Sequence, residues 1–344
     1  GAVTVGTAKS GVGLGGFIGV STVAITLDGL KNYGPVQMTG AGSGGDTYRA
    51  SIGGIIGYCV AADFKLLNCE NYGHVAYGPT AALGRTDVGG IVGFVKTAAV
   101  IEGCKNGGKV EHTAKSSTGE QTVAGICGCP QTGTIFNDCV NLATAEIIGG
   151  GKTGSGYDIA GIGGGPSGAD VQFNRCKNYG TVKHTVQHSN STYVGGIVGY
   201  GYSFYKFDAC ENHGAVTTAG STGTTYIGGI VGWARIAADT NTTASTRIMT
   251  NCVNYANLDF GGNAGGTMHA GGVAGRINDE DGHRHWETVS GNKNYGNLTF
   301  SSNVKTCYYG GIFGSVAVAA NDNCNDKDNS TNKDNSTPYA LAEM

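Results

Sequence analysis

Cys176-Lys177-Asn178-Tyr179-Gly180-Thr181-Val182 is the stretch whose reading decides the fold. It alternates position by position. Cys176, Asn178, Gly180 and Val182 fall on one side, and Lys177, Tyr179 and Thr181 on the other. Period two is the mark of a strand with one inward and one outward face. An amide, a thiol and a glycine make a poor core in isolation, because a buried amide is costly unless it is hydrogen-bonded. They make a good one if each lies under a copy of itself.

Copies run along the chain. The central Asn recurs at Asn32, Asn71, Asn106, Asn141, Asn178, Asn212, Asn254 and Asn294. Two positions earlier stand Cys69, Cys104, Cys139, Cys176, Cys210 and Cys252, with Leu30 and Asn292 replacing Cys in the first and last copies. Two positions later stands Gly or Ala, and four later an apolar residue, from Val36 to Leu298. Between these copies lies a second motif: an apolar residue, Gly-Gly or Ala-Gly, an apolar pair, and often Gly. Its first small residues are Gly15, Gly53, Gly89, Ala124, Ala160, Gly195, Gly228, Gly271 and Gly310, spaced by 33 to 43 residues. Its apolar residues sit three apart, which breaks strict alternation and places a bulge or corner at the Gly-Gly.

A repeat near 36 residues, built of short strands with no capped helical period, is a coil that climbs. The expected fold is all-β: a right-handed parallel β-solenoid of eight to nine coils, one domain over residues 1–315. Stacked Asn amides would pair with one another and with turn backbones. The six Cys read as small buried hydrophobes, since parallel Cβ vectors bridge poorly. Disulfides involving the off-column Cys59, Cys127, Cys129, Cys307 or Cys324 are more plausible.

Gly-Gly-Ile-Val-Gly alternating with Cys-x-Asn-Tyr-Gly-x-Val resembles the GLUG repeat and related Gly-rich β-solenoid repeats of microbial extracellular surface proteins, over roughly residues 12–315. The resemblance implies stalks, adhesins and fibre-forming proteins, and spacers in surface proteases. It carries no site residues.

Composition points the same way. Gly accounts for 63 of 344 residues, more than twice the usual roughly 7%. Only 14% of residues are charged and the net charge is −3, so no basic face for nucleic acid is expected. No apolar run reaches the roughly 20 residues of a membrane helix. Short Gly-, Ser- and Thr-rich loops and a start at Gly1 fit a processed, secreted product.

No residue is assigned to catalysis, to a cofactor or to a metal. Cys127-Gly128-Cys129 lacks the second pair of a zinc site. The charged run Asp279–Glu287 reads as a solvated loop, and no nucleophile elbow, Walker or metalloprotease motif occurs. Five sequons, at Asn190, Asn241, Asn297, Asn329 and Asn335, are candidate glycan acceptors. Tyr33, Tyr72, Tyr179, Tyr255 and Tyr295 form an outward column, interrupted by Gly107, Leu142 and His213. It either binds a glycan or a neighbouring chain, or only covers the turn.

A solenoid exposes strand edges at both ends, and open edges invite end-to-end pairing. The expectation is a non-catalytic subunit of an extracellular filament, sheath or stalk that polymerises head to tail with itself. The polar tail, 316–344, would contact a neighbouring subunit. The alternative is an adhesin or glycan-binding module of the cell surface, with glycans or a host surface as partner. A carbohydrate-active enzyme on a β-helix, with carboxylates converging in a groove, is the third class.

Overall fold

The structure, a computed structural model, describes residues 1–6, 11–40, 49–79, 84–114, 119–151, 154–187, 189–202, 205–236, 248–261, 266–279, 288–300 and 306–317. Among them every regular element is a strand, and every strand pairing is parallel. One coil defines the plan. Face 1 is Arg85–Gly89, face 2 Val92–Val95, face 3 Ala99–Glu102, face 4 Lys105–Asn106 and face 5 Val110–His112. Each strand pairs with its counterparts in the coils before and after it. Faces 1 and 5 become nine-stranded sheets, and faces 3 and 4 eight-stranded ones. Face 2 is split into two four-stranded sheets. The parallel β-solenoid is therefore the architecture, with regular pairing from Val3 to Ala317.

The Asn motif is not one continuous strand. Glu70–Asn71 and Val75–Tyr77 are separate strands with a turn at Gly73 between them. The Asn71 side chain makes that turn: its Nδ2 donates to the Gly73 carbonyl (2.9 Å), and its Oδ1 accepts from the Gly73 amide (3.3 Å). The amide thus bends the chain from face 4 to face 5 while keeping its own side inward.

The Gly-Gly is a corner between faces 1 and 2. Each small residue of the motif answers a different neighbour. A Cβ on Gly53 would strike the Ile56 carbonyl, one on Gly54 the Asn71 amide and the Gly90 carbonyl, and one on Gly57 the face 1 backbone at Gly13 and Leu14. The corner therefore folds so sharply that the outer sides of faces 1 and 2 touch. Two cores result. One, with Ile56, Phe64, Leu66 and the Cys column, lies between faces 2 and 3. The other, with Ile52, Val75, Val110 and Val123, lies between faces 1 and 5. The Asn column stands between them, against the corner.

That column is a continuous ladder. Asn32 Nδ2 donates to Asn71 Oδ1, Asn71 to Asn106, Asn106 to Asn141, Asn141 to Asn178, Asn178 to Asn212, Asn212 to Asn254 and Asn254 to Asn294, all at 2.8 to 3.0 Å. Every bond points the same way, so each link polarises the next.

The Cys column is buried throughout. Its thiols donate weakly to carbonyls one coil back: Cys104 to Leu66 (3.4 Å), Cys139 to Ile101 (3.3 Å) and Cys210 to Phe173 (3.4 Å). All ten described cysteines are free, which corrects the expectation of bridges involving the off-column cysteines. The register explains it. Cys59 aligns with Val95 and Pro130, and Cys127 with Val92 and Ile56, so neither faces another cysteine on an adjacent strand. Cys324 lies outside the described residues.

Candidate functional site

Two outward features carry chemistry. The first is the aromatic column on face 4. Tyr33 and Tyr72 stack at 5.4 Å. Tyr179, His213, Tyr255 and Tyr295 stack in series at 4.6, 4.5 and 5.4 Å. Ring planes lie within 17° of parallel, so neighbours cover each other's faces and turn their edges to solvent. The end rings, Tyr33 (70%) and Tyr295 (63%), are more exposed than Tyr72 (41%), Tyr179 (39%) and Tyr255 (47%). An outward row of charges runs beside them, with Lys31–Glu70 at 3.0 Å and Lys177–Glu211 at 2.9 Å. Such exposed pairs contribute little to stability.

The second feature is the seam where the outer sides of faces 1 and 2 meet, which sequence reasoning missed. Its face 1 column runs Gly13, Ser51, Asp87, Thr122, Asp158, Tyr193, Tyr226, His269, Tyr308. No residue type persists for more than two coils. The signal lay in the residue just before each Gly-rich motif. That position varies from coil to coil, and an alternating strand would have sent it to solvent. Instead Asp87, Thr122 and Asp158 are fully buried.

Chemically the seam has two halves. In the first, Asp87 takes Arg49 Nε at 2.6 Å, Arg85 Nε at 3.3 Å and the Thr122 hydroxyl at 3.0 Å. Arg85 also reaches Glu120 (2.6 Å) and the Cys129 thiol (3.0 Å). Burial pushes the Cys129 thiol up to about 11 despite the nearby Arg85. The second half is aromatic. Tyr193 stacks on Tyr200 (4.6 Å) and Tyr226 (5.1 Å), Tyr226 on Trp233 (4.7 Å) and His269 (4.9 Å), and Arg276 lies over Trp233. Burial, with Arg276 close by, pushes His269 down to about 3.

Another buried imidazole stands in the core between faces 1 and 5. His112 Nδ1 shares a 2.7 Å hydrogen bond with the Tyr157 hydroxyl. Desolvation pushes His112 down to about 3.

Of the sequons, Asn297 and its Thr299 are exposed and Asn190 is half-buried. Asn241, Asn329 and Asn335, the run Asp279–Glu287 beyond its first residue, and the tail beyond Ala317 lie outside the described residues. Among the described residues no group of three or more His, Cys, Asp or Glu is placed to hold a metal, and no helix is long and apolar enough to cross a membrane.

Fold and site together define a parallel β-solenoid whose inner columns repeat and whose outer seam does not. Comparison with protein-family models, with curated proteins and with solved structures returned no match.

Proposed function

We propose that this chain is a non-catalytic structural subunit of an extracellular filament, sheath or stalk, a repeat protein of the GLUG kind that stacks head to tail. One observation carries the reading: among the described residues, both hydrophobic cores are less covered in the first and last coils than in the middle. At the start, Ile18, Leu27, Val3 and Val5 are only partly buried, and Phe17 and Val20 are about half exposed. At the far end Val289, Ile312, Leu298 and Phe300 are likewise partly buried, and Tyr309 is exposed. Both end strands of face 5, Val3–Val5 and Leu298–Phe300, turn the same alternating pattern to the core, and among the described residues neither has a partner on its outer edge. Open parallel edges over apolar columns favour a second copy in the same orientation, which yields an open-ended filament.

The test is electron microscopy and sedimentation of the full chain over a concentration series. Fibres with the coil stack along their axis are expected. A strictly monomeric species at high concentration would exclude the reading. A second reading, an adhesin that binds glycans, draws on the exposed Tyr179–Tyr295 stack. Its rings offer hydroxyl edges and not open faces, so it would act by hydrogen bonds more than by sugar stacking. A glycan array separates it from the filament. The enzyme reading draws on the convergence of Asp87, Glu120 and Asp158, but two of these are fully buried and Asp87 is held by arginines.

A further inference from the structure

Asp158 is the group in the seam that the ion pairs leave out. It is fully buried on face 1 between Thr122 and Tyr193. Arg49 is engaged by Asp87, and Arg85 by Asp87 and Glu120. The Thr122 hydroxyl, the nearest small donor in register, points back to Asp87. Two arginines therefore balance two carboxylates, and neither oxygen of Asp158 receives an N–H or hydroxyl donor. From face 2 it meets Gly165, whose missing Cβ leaves the space its carboxyl fills, with Cys129 beside Gly165. Tyr193 and Tyr200 close the seam on the aromatic side. A carboxylate buried without a donor or a dedicated counter-charge is strongly disfavoured, and the neutral acid far less so.

The same coil is where face 2 breaks. Gly163-Gly164-Gly165-Pro166 takes the place of a strand, and the two four-stranded halves are joined there by isolated bridges, Cys127 to Gly163 to Val198 and Gln131 to Ser167 to Tyr202, and by single backbone hydrogen bonds such as Gly164 N–H to the Cys127 carbonyl (3.0 Å) and Tyr200 N–H to the Gly164 carbonyl (3.1 Å). Proline cannot donate to a ladder, and three glycines bring no side chain to it.

We propose that Asp158 is held as the neutral acid and acts as a latch: its ionisation opens the seam at the break in face 2 and makes this coil a pH-controlled joint in the rod. The direction of its titration agrees, since burial and the neighbouring Glu120 carboxyl push Asp158 well above the usual carboxylate range. The sign follows. A carboxyl raised in the folded state favours folding below its unfolded value and opposes it as pH rises through the folded one. The device does not depend on the filament reading.

The experiment compares the full chain with D158N, an uncharged near-isostere, from about pH 5 to about pH 10. At neutral pH D158N should be as stable as the parent or more so. Between the ordinary carboxylate range and the shifted value the parent should lose ground to D158N by up to about tenfold in folding constant per pH unit, and the difference should level off above it. An infrared band of a protonated carboxyl at neutral pH should vanish in D158N. In the parent alone, amides of Gly163–Ser167 should exchange faster at alkaline pH. Parallel pH profiles for the two proteins, or no carboxylic-acid band in the parent, would overturn the latch. Should D158N fail to fold, the band and the exchange in the parent decide by themselves.

Discussion

The Asn column and the seam stand on opposite sides of the same Gly-Gly corner, and they obey opposite rules. The inner column holds one residue type in every coil from Asn32 to Asn294, each amide bonded to the next. The seam column passes through Ser51, Asp87, Thr122, Asp158, Tyr193 and His269 with equal burial at its centre and no common chemistry. Identity in register is needed where a polar group has only its own copy for a partner. Where two sheets meet side to side, any pair that fills the space suffices, so the seam is free to differ along the rod.

Substitutions can break or sharpen that contrast. The largest effect is expected at the corner. A methyl at Gly90 would collide with the Gly125 carbonyl and the Asn106 amide, both fixed. G90A should cost at least about 3 kcal/mol in chemical denaturation and reduce folded yield. Next is the ladder. N106A leaves Asn71 without its acceptor, Asn141 without its donor, and the turn at Gly108 unclosed. A loss of about 3 kcal/mol is expected, against about 1 kcal/mol for N32A at the end of the column. Equal losses would mean the amides act singly and not as a ladder.

In the seam, D87A strands Arg49 and part of Arg85, both roughly a quarter exposed at the side chain. Solvent reaches those guanidinia, so the loss should be about 2 kcal/mol, below that of a fully buried pair. A smaller effect concerns acid. His112 and His269 are neutral in the fold, each pushed to about 3. An unfolded imidazole gains its proton below its ordinary value near 6.5. Stability should therefore fall as pH drops from about 6.5 towards 3, by up to about 1.4 kcal/mol per unit for each histidine. H112Q should flatten part of that slope. Least of all, Y255S in the exposed stack should cost under about 1 kcal/mol.

Much of this was legible in the sequence for a physical reason. Period and column identity are properties of the repeat, and Asn106, Cys104 and Val110 recur because each touches its own copies. The parallel fold, the amide ladder and the outward tyrosines all follow from that spacing. Two features were not legible. The turn at Gly73 hides inside an alternation that continues straight through it. The seam depends on how sharply the Gly-Gly corner folds, which is set by carbonyl and amide contacts several coils long and not by any one residue. Nothing in the motif around Asp158 marks it as buried. Only the contact of face 1 with face 2 buries it.

Hydrogen exchange of the asparagine side-chain amides, followed by NMR, tests the ladder most directly. The Nδ2 protons of Asn106, Asn141 and Asn178 should exchange only as fast as the coils around them unfold, and those of Asn294 much faster. Exchange at mid-column positions as rapid as at an exposed asparagine would contradict a rod held together by its own repeated amides.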